Sequence, residues 1–252
     1  MKSIGIIGCG WLGSKLAQRL ESEFSIYATA RKQETVNELA SFGYSVTKID
    51  FSEEKKVITD QWDTAPALDA IVILIPFSLR KSTDESLKCK MENLFTFIGD
   101  FNSQLLFASS TGVYPKQRDT FTEDDLPTRA NTIEHQVKQC FPMTNVLRLG
   151  GLMGDNRLLS KYNVTNLEDP VNHVHYDDVC SIIIRMIEDR VHDKLYNVVA
   201  PLHPAKDEVI KAQLNNSIAT TPDSHGRIIS SSKLIAELEF DFKYPDPRTF
   251  HL

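Results

Sequence analysis

Three glycines near the amino terminus have the spacing G-x-G-x-x-G, in the run Gly8-Cys9-Gly10-Trp11-Leu12-Gly13. A short apolar run precedes them and an amphipathic helical pattern follows. At such a strand-to-helix turn the first glycine permits the tight turn, the second lets the backbone approach a pyrophosphate, and the third allows the helix to pack closely on the strand. The helix N-terminus adds unpaired N–H groups and a positive dipole. The spacing predicts a dinucleotide site contacted by Gly8, Gly10, Trp11, Leu12 and Gly13.

The residues that end the second apolar run indicate which dinucleotide is bound. An NAD site usually has an Asp or Glu there, which accepts hydrogen bonds from the ribose hydroxyls. This chain has Thr29-Ala30-Arg31 instead. No acid is present to repel a 2′-phosphate, and the Arg31 guanidinium can bind one through charge-assisted hydrogen bonds. We therefore predict NADP(H) as the preferred cofactor over NAD(H). In the alternative, Arg31 is a solvated residue in the first turn of the next helix.

Further cofactor contacts are expected where later strands end. Asp50 and Phe51 close the third apolar run, where a carboxylate and an aromatic ring can meet the edge and the face of an adenine. In the alternative, Asp50 caps a helix or stabilises a turn. We also assign to the cofactor site four residues at or beyond later strand ends, namely Ile75, Pro76, Ser109 and Gly150.

Strands and helices that alternate along the chain must position these residues. Short continuous apolar runs alternate with helical periodicity, which is typical of parallel strands covered by helices on both faces. The sequence therefore predicts an α/β fold with a doubly wound parallel sheet. A helix is predicted from Gln33 to Ser41, with Gly43 as its stop signal. The expected strands are Ser3–Ile7, Ser25–Thr29, Ser45–Ile49, Ala70–Ile75, Gln104–Ser109, Asn145–Leu149 and Leu195–Val199.

The size and charge of the chain fit one such fold. Its 252 residues can form a single dinucleotide-binding domain over residues 1–252, in which residues 151–170 and 200–252 form a small C-terminal lobe on the substrate side. The formal net charge is −6 and neither sign is gathered into blocks, which argues against nucleic acid and anionic membranes as partners. The longest apolar run, residues 70–76, is too short to span a bilayer.

The cysteines and histidines give no metal pattern. The four cysteines are widely spaced, and together with the lack of a signal-peptide pattern they predict a cytoplasmic protein. His173 and His175 alternate along a predicted strand and can face the same side, as a pair of metal ligands would. No acidic or cysteine partner stands at matching spacing, so we expect these histidines to fix a loop near the substrate cleft and not to bind a metal.

Beyond the glycine loop, further segments resemble the extended short-chain dehydrogenase/reductases of the NAD-dependent epimerase/dehydratase type. Leu106–Tyr114 is similar to the family's serine-bearing strand end, Val146–Gly154 to the stretch beside the nicotinamide, and Val171–Val179 to the segment NxIHVDDxA. Residues 233–245 look like the C-terminal turn of the atypical YeeZ-like branch. The resemblance covers nearly the whole chain and implies a Rossmann-type fold and a bound NAD(P). It places Ser110 at the position of the family's catalytic Ser/Thr.

One family feature is missing. Active members use a tyrosine as acid/base and a lysine four residues later, but this chain has no tyrosine between Tyr114 and Tyr162. Glu134 and Lys138 have the same i, i+4 spacing. We prefer a register in which the tyrosine stretch is deleted, and Glu134 and Lys138 then form an exposed helical ion pair.

Three residues are candidates for the remaining chemistry. Ser110 is expected to hydrogen-bond a substrate carbonyl or hydroxyl, or else to cap the following turn. Tyr114 can replace the missing acid/base if its loop folds back, and is otherwise a packing aromatic. His135 adjoins Glu134 and is a third candidate. The sequence leaves two functions open, which are an NAD(P)-dependent oxidoreductase or epimerase acting on an unknown small molecule, and a cofactor-binding sensor or scaffold without turnover. Association into oligomers also stays open.

Overall fold

The computed structural model describes residues 2–51, 54, 58–77, 82–125, 127, 133–215 and 226–252. Its helices are α1 (Trp11–Leu20), α2 (Gln33–Ser41), α3 (Asp84–Ile98), α4 (Ile133–Cys140), α5 (Tyr176–Glu188), α6 (Lys206–Asn215) and α7 (Ser232–Leu238). Its strands are β1 (Lys2–Ile7), β2 (Phe24–Ala30), β3 (Ser45–Lys48), β4 (Ala70–Ile73), β5 (Gln104–Ser110), β6 (Thr120–Phe121), β7 (Asn145–Leu149), β8 (Gly151–Met153), β9 (His173–His175), β10 (Leu195–Val198) and β11 (Ile228–Ile229).

Seven strands form one sheet, in the order β10-β7-β5-β4-β1-β2-β3. The pairs β1–β2, β1–β4, β2–β3 and β4–β5 are parallel, with Ile4 opposite both Ile26 and Ala70. The strand order reverses between β1 and β4, because the chain leaves β3 at one edge and returns on the other side of β1. The predicted α/β doubly wound fold is confirmed. In such sheets, ligands bind at the carboxyl ends of the strands beside this reversal.

The described residues divide into two compact units. The first contains residues 2–109, 133–146 and 184–194, apart from the gaps given above. Its core consists of the continuous apolar runs that the sequence marks as strands, and the Ile4, Ile6, Ile71 and Ile73 side chains have no exposed surface. Strands buried on both faces need apolar residues at consecutive positions, which explains why these runs do not alternate with polar residues.

The second unit contains residues 110–127, 147–183 and 195–252, with the same reservation for gaps. Two small sheets lie in it, β6 with β11 and β8 with β9, each pair parallel. A core cluster of Met153, Leu159, Val171, Ala200, Val209 and Phe250 holds it together. Both ranges that the sequence assigns to a lobe fall in this unit, and their substrate-side role stays a prediction.

The sequence located the main elements well. Helix α2 spans Gln33–Ser41 as predicted, and Gly43 follows with φ +87°, the left-handed conformation expected at a helix stop. Within the described ranges, no helix is both long and apolar enough to cross a membrane.

Candidate dinucleotide site and neighbouring polar groups

The glycine loop joins β1 to α1 and is held by β2. The N–H of Gly8 donates to the Thr29 hydroxyl oxygen at 2.9 Å, and the N–H of Cys9 donates to the Thr29 carbonyl at 2.8 Å. Thr29 is buried. Because one residue satisfies two consecutive amides, β2 fixes the direction in which the chain leaves β1. Sequence pattern alone does not reveal this role of Thr29, since a threonine inside a strand is ordinary.

Gly8 and Gly13 are glycines because the fold leaves no room for a side chain. Gly8 has φ +85°, and a Cβ there would lie 2.6 Å from Ile75 Cγ2 and 2.9 Å from the Ile75 backbone nitrogen. A Cβ on Gly13 would lie 3.2 Å from Ile6 Cγ2 and 3.3 Å from the Gly8 carbonyl oxygen. The tight turn and the close packing of helix on strand that the spacing predicts both agree with these contacts.

Gly10 differs from its two neighbours. Its φ of −92° is open to any residue, and the nearest atom to a Cβ there is the Gly8 carbonyl oxygen at 4.0 Å. Gly10 is exposed and stands at the N-cap of α1, and among the described residues no side chain caps this helix. Neither a positive φ nor packing against the described residues requires glycine at this position, where ψ is −148°. The space that its missing side chain leaves lies in front of a helix N-terminus, where anions bind.

The glycine loop and the start of α1 therefore have the features of a site for a phosphate-bearing ligand. The first turn of an α-helix directs its backbone N–H groups along the helix axis, towards the space in front of the N-terminus. Trp11 is half-buried and Leu12 is buried, so the backbone of this turn is held firmly by its own side chains. A pyrophosphate in front of Gly10 would meet these N–H groups and the positive end of the α1 dipole.

Arg31 and Asp50 lie where strands β2 and β3 have ended, and both are exposed. Lys32, also exposed, follows Arg31 and stands at the N-cap of α2. Two cations thus occur together beyond β2. Phe51 is buried, and its ring meets that of Phe97 edge-on with centroids 5.5 Å apart. The Phe51 ring already packs in the core of the first unit, and a role in holding adenine stays a prediction.

Ile75 and Pro76 follow β4, and Ile75 lies against the glycine loop at Gly8. Ile75 is buried in contact with Gly8, whereas Pro76 is exposed. The Pro76 carbonyl accepts a hydrogen bond of 2.9 Å from the Lys90 ammonium, which also lies 5.2 Å from the centre of the Phe77 ring. Helix α3 therefore fixes the backbone that leaves β4.

Ser109 lies near the carboxyl end of β5 and contacts a residue that the sequence assigned differently. Its hydroxyl donates to Glu134 Oε1 at 2.5 Å. Glu134 is only 7% exposed, and Lys138 forms an ion pair with Asp193 at 2.7 Å. The predicted exposed ion pair between Glu134 and Lys138 is therefore wrong. The first turn of α4 directs Glu134 towards the sheet, which the i, i+4 spacing alone does not reveal.

His135, next in the chain, is exposed on α4. Its Nε2 lies 3.0 Å from Gln139 Nε2, one turn further along the helix. Glu134 is buried and His135 exposed, so the two side chains point to different sides of α4, and Glu134 is the one that contacts Ser109 in the structure. The assignment of His135 as an acid/base group stays a prediction.

Ser110 and Tyr114 belong to the second unit. The Ser110 hydroxyl oxygen accepts the Gly112 N–H at 3.0 Å, so Ser110 caps the short turn Thr111–Val113. This is the alternative that the sequence left open. This hydrogen bond uses a lone pair of Ser110 Oγ. The hydroxyl proton of Ser110 can therefore still be donated to a ligand. Ser110 is exposed, and its contact with substrate stays a prediction.

Tyr114 is only 2% exposed, and polar groups surround its hydroxyl. Arg148 Nη1 donates to the hydroxyl oxygen at 2.6 Å, and the Thr122 carbonyl and Asn197 Oδ1, each at 2.8 Å, compete for its proton. The ring stacks on Phe121 with centroids 5.4 Å apart. Burial raises the pKa of Tyr114, and Arg148 opposes that rise. These contacts favour the alternative stated in the sequence analysis, in which Tyr114 is a packing aromatic.

Gly150 and the two histidines of β9 complete the predicted set. A Cβ on Gly150 would lie 2.6 Å from the Asn172 carbonyl oxygen, so this glycine is required by packing within the second unit. The His175 ring lies between those of Tyr176 and Tyr244, with centroids at 4.6 and 3.8 Å. Burial lowers the pKa of both His173 and His175 to about 4. Both rings are therefore neutral at neutral pH.

Comparison with known proteins gives sequence relatives that cover nearly the whole chain and many structures with this fold. No family model matches the chain. The chain is 28% identical to protein YeeZ of Escherichia coli K12, with 98% of each chain covered. Human epimerase family protein SDR39U1, solved with NADPH, superposes with a TM-score of 0.68 at 15% identity, covering 98% of this chain and 97% of that one.

UDP-glucuronic acid 4-epimerase from Bacillus cereus, solved with NAD, has a TM-score of 0.71 at 15% identity, covering 99% and 97%. At such identities, the two structures support the fold and nothing finer. The chain is similar over its full length to YeeZ, and its fold is that of NAD- and NADPH-bound epimerase structures.

Proposed function

We propose that this protein binds NADP(H) at the glycine loop and uses it in an oxidoreductase or epimerase reaction on a small hydroxyl or carbonyl compound. The observation that carries the proposal is Gly10. Protein packing explains the glycines at positions 8 and 13, but it does not explain Gly10, where no described atom would lie closer than 4.0 Å to a Cβ. A ligand backbone or phosphate that must approach within van der Waals distance does explain it.

Arg31 and Lys32 support the choice of NADP(H). They stand beyond β2, on the side of the glycine loop where the adenosine half of a dinucleotide lies in doubly wound folds. Both are exposed and cationic, and Glu34 is the first acid that follows them in α2. A guanidinium binds a phosphate in a bidentate manner, whereas an uncharged ribose hydroxyl gives it little to recognise.

When bound, the nicotinamide ring supplies a two-electron oxidant or reductant at its C4 atom. The protein must then bind, orient and shield the reacting groups, and move one proton. Neither the chain's sequence nor its fold names the substrate. The Bacillus cereus protein is named UDP-glucuronic acid 4-epimerase. UDP-glucuronic acid is therefore the first probe compound, together with small hydroxyl and carbonyl compounds.

A second function, a dinucleotide sensor or scaffold without turnover, is favoured by the position of Tyr114. It follows the serine-bearing strand end by four residues in the sequence, and its hydroxyl is buried in a hydrogen-bonded network. Anaerobic incubation with NADP⁺ or NADPH and the compounds above, followed by absorbance of the reduced nicotinamide, separates the two functions. Turnover supports the enzyme, and saturable binding without turnover supports the sensor.

The variant Gly10→Ala tests the site itself. The added methyl group meets no protein atom closer than 4.0 Å, so we expect the free energy of unfolding to change by less than about 1 kcal/mol. A methyl group forced against a bound pyrophosphate should cost about 1–3 kcal/mol, or roughly 5- to 150-fold in the dissociation constant of NADPH. Calorimetric titration of the wild type and of Gly10→Ala measures the dissociation constant of NADPH for each protein. Unchanged NADPH affinity in Gly10→Ala would remove the main support for the proposal.

The variant Arg31→Ala tests the cofactor preference. Loss of a charge-assisted hydrogen bond should weaken NADPH binding by about 1.5 kcal/mol, roughly tenfold, with little effect on NADH. Lys32→Ala is the matched variant, because Lys32 is the neighbouring exposed cation at the N-cap of α2. Equal losses for NADPH and NADH in Arg31→Ala would show that this residue does not recognise the 2′-phosphate.

A further inference from the structure

The contact between Ser109 and Glu134 joins a strand end to a buried carboxylate. Ser109 is half-buried and is the last residue but one of β5, and its hydroxyl donates to Glu134 Oε1 at 2.5 Å. Glu134 lies in the first turn of α4, where the helix dipole favours a negative charge. A buried carboxylate is costly unless it is hydrogen-bonded, and the Ser109 hydroxyl supplies such a hydrogen bond.

The order of strands in the sheet puts this pair beside the proposed cofactor. The strands run β5-β4-β1-β2, and the glycine loop follows β1. Neighbouring strands are about 4.8 Å apart, so the end of β5 lies about 10 Å from that of β1, on the side away from β2. A dinucleotide with its pyrophosphate at Gly10 and its adenosine half towards Arg31 must extend its other half past Ile75 towards β5. The nicotinamide half is the reactive one.

We propose that Ser109 and Glu134 form a proton relay that takes the place of a tyrosine acid/base. This inference rests on the proposed function. In the oxidation direction, the substrate O–H bond breaks and its proton passes to Ser109 Oγ, while the Ser109 hydroxyl proton passes to Glu134 Oε1. The C–H bond of the same carbon gives its hydrogen and electron pair to the nicotinamide dinucleotide, which is the oxidant. In the reduction direction each proton retraces its path.

The two side chains have complementary chemistry for this step. A serine hydroxyl has one proton to give and lone pairs that accept another, so it can transfer a proton without becoming charged. An ionised carboxylate accepts only, and a protonated one donates. Serine alone is a poor base and needs an adjacent one. Lys138, one turn beyond Glu134, is paired with Asp193, and the Ser109 hydroxyl donates to Glu134 Oε1.

A spectroscopic experiment on the full chain tests the placement without requiring a substrate. Protein carrying ¹³C at the glutamate side-chain carboxyl is titrated with NADP⁺ and with NADPH, and Glu134→Gln identifies the Glu134 resonance. We expect this resonance to move on saturation, and to differ between the two cofactors because only the oxidised ring is positively charged. The resonance of Glu188, exposed at the end of α5 and identified by Glu188→Gln, should stay in place. A Glu134 resonance that does not respond to a cofactor shown by calorimetry to be saturating would overturn the relay.

Calorimetry separates this failure from that of the proposed function, because absence of binding by either dinucleotide would refute the proposed function itself. A kinetic measurement tests the proton transfer with the probe compound that the wild type converts fastest. Ser109→Ala and Glu134→Gln should each lower kcat by about 100-fold or more, with KM changed by less than about threefold, and Glu134→Asp should recover part of the loss. Equal changes in KM and none in kcat would show that the pair only holds α4 against β5.

Discussion

Gly8→Ala is the substitution for which the structure makes the sharpest stability prediction. Gly8 and Gly43 have almost the same φ, +85° and +87°. Their surroundings differ completely. A Cβ on Gly43 would have no atom within 4 Å, whereas one on Gly8 would lie 2.6 Å from Ile75 Cγ2 and 2.9 Å from the Ile75 backbone nitrogen. Gly43→Ala therefore measures the cost of the left-handed conformation, and Gly8→Ala measures that cost together with the clash.

The two contributions can be estimated separately. An L-residue in the left-handed region costs about 1–2 kcal/mol, of which about 0.4–1 kcal/mol is offset by the lower entropy of the unfolded chain with alanine. We therefore expect Gly43→Ala to lower the free energy of unfolding by about 1 kcal/mol. Ordinary carbon contacts are about 3.5–4 Å, so the Ile75 backbone must shift in Gly8→Ala, which adds about 1–3 kcal/mol.

Urea unfolding followed by far-ultraviolet circular dichroism gives both free energies under the same conditions. The prediction is a difference of about 1–3 kcal/mol between the two variants, with Gly8→Ala the less stable. Because Ile75 follows β4, the shift should also disturb the loop and weaken NADPH binding in Gly8→Ala but not in Gly43→Ala. If Gly8→Ala proves no less stable than Gly43→Ala, the close approach of the glycine loop to β4 does not hold in solution.

Two further predictions concern the second unit. Tyr114→Phe removes the hydroxyl that accepts from Arg148 and donates to Asn197, both of which are buried. It should lower the free energy of unfolding by about 1–3 kcal/mol. Tyr162→Phe, at a tyrosine that is 59% exposed, should change that free energy by less than about 0.5 kcal/mol. Similar losses in the two variants would contradict the network. Burial lowers the pKa of His175 to about 4, below its unfolded value of about 6.5, so the neutral ring stabilises the fold fully above pH 6.5 and progressively less as the pH falls towards 4. Denaturation at pH 7 and pH 4.5 should show wild type losing about 2 kcal/mol more than His175→Phe, and parallel losses would refute a neutral buried His175.

Short-range pattern was enough to predict the fold and the glycine loop. The alternation of continuous apolar runs with helical periodicity reflects strands covered on both faces, and that requirement acts on consecutive residues. Gly8 and Gly13 could be recognised because a left-handed turn and close packing exclude side chains, whatever the rest of the molecule does. The end of α2 at Ser41, followed by Gly43, was readable for the same reason.

The partners of individual polar side chains were decided by tertiary structure. Glu134 and Lys138 have the spacing of a surface ion pair, yet α4 lies so that Glu134 contacts Ser109, 25 positions earlier in the chain, while Lys138 contacts Asp193. Tyr114 is buried beside Arg148 and Asn197, and nothing near it in sequence shows this. Thr29 fixes the glycine loop from the neighbouring strand.

The physical reason is the range of the interactions. Sequence by itself determined where the backbone turns and which faces are apolar, since conformational preference and periodicity are local. Burial of a carboxylate, the acceptor of a buried arginine and the space left in front of Gly10 depend on how distant elements pack. Only the folded structure shows that protein packing explains Gly8 and Gly13 but not Gly10. Only the folded structure shows that the Glu134 carboxylate accepts a hydrogen bond from Ser109.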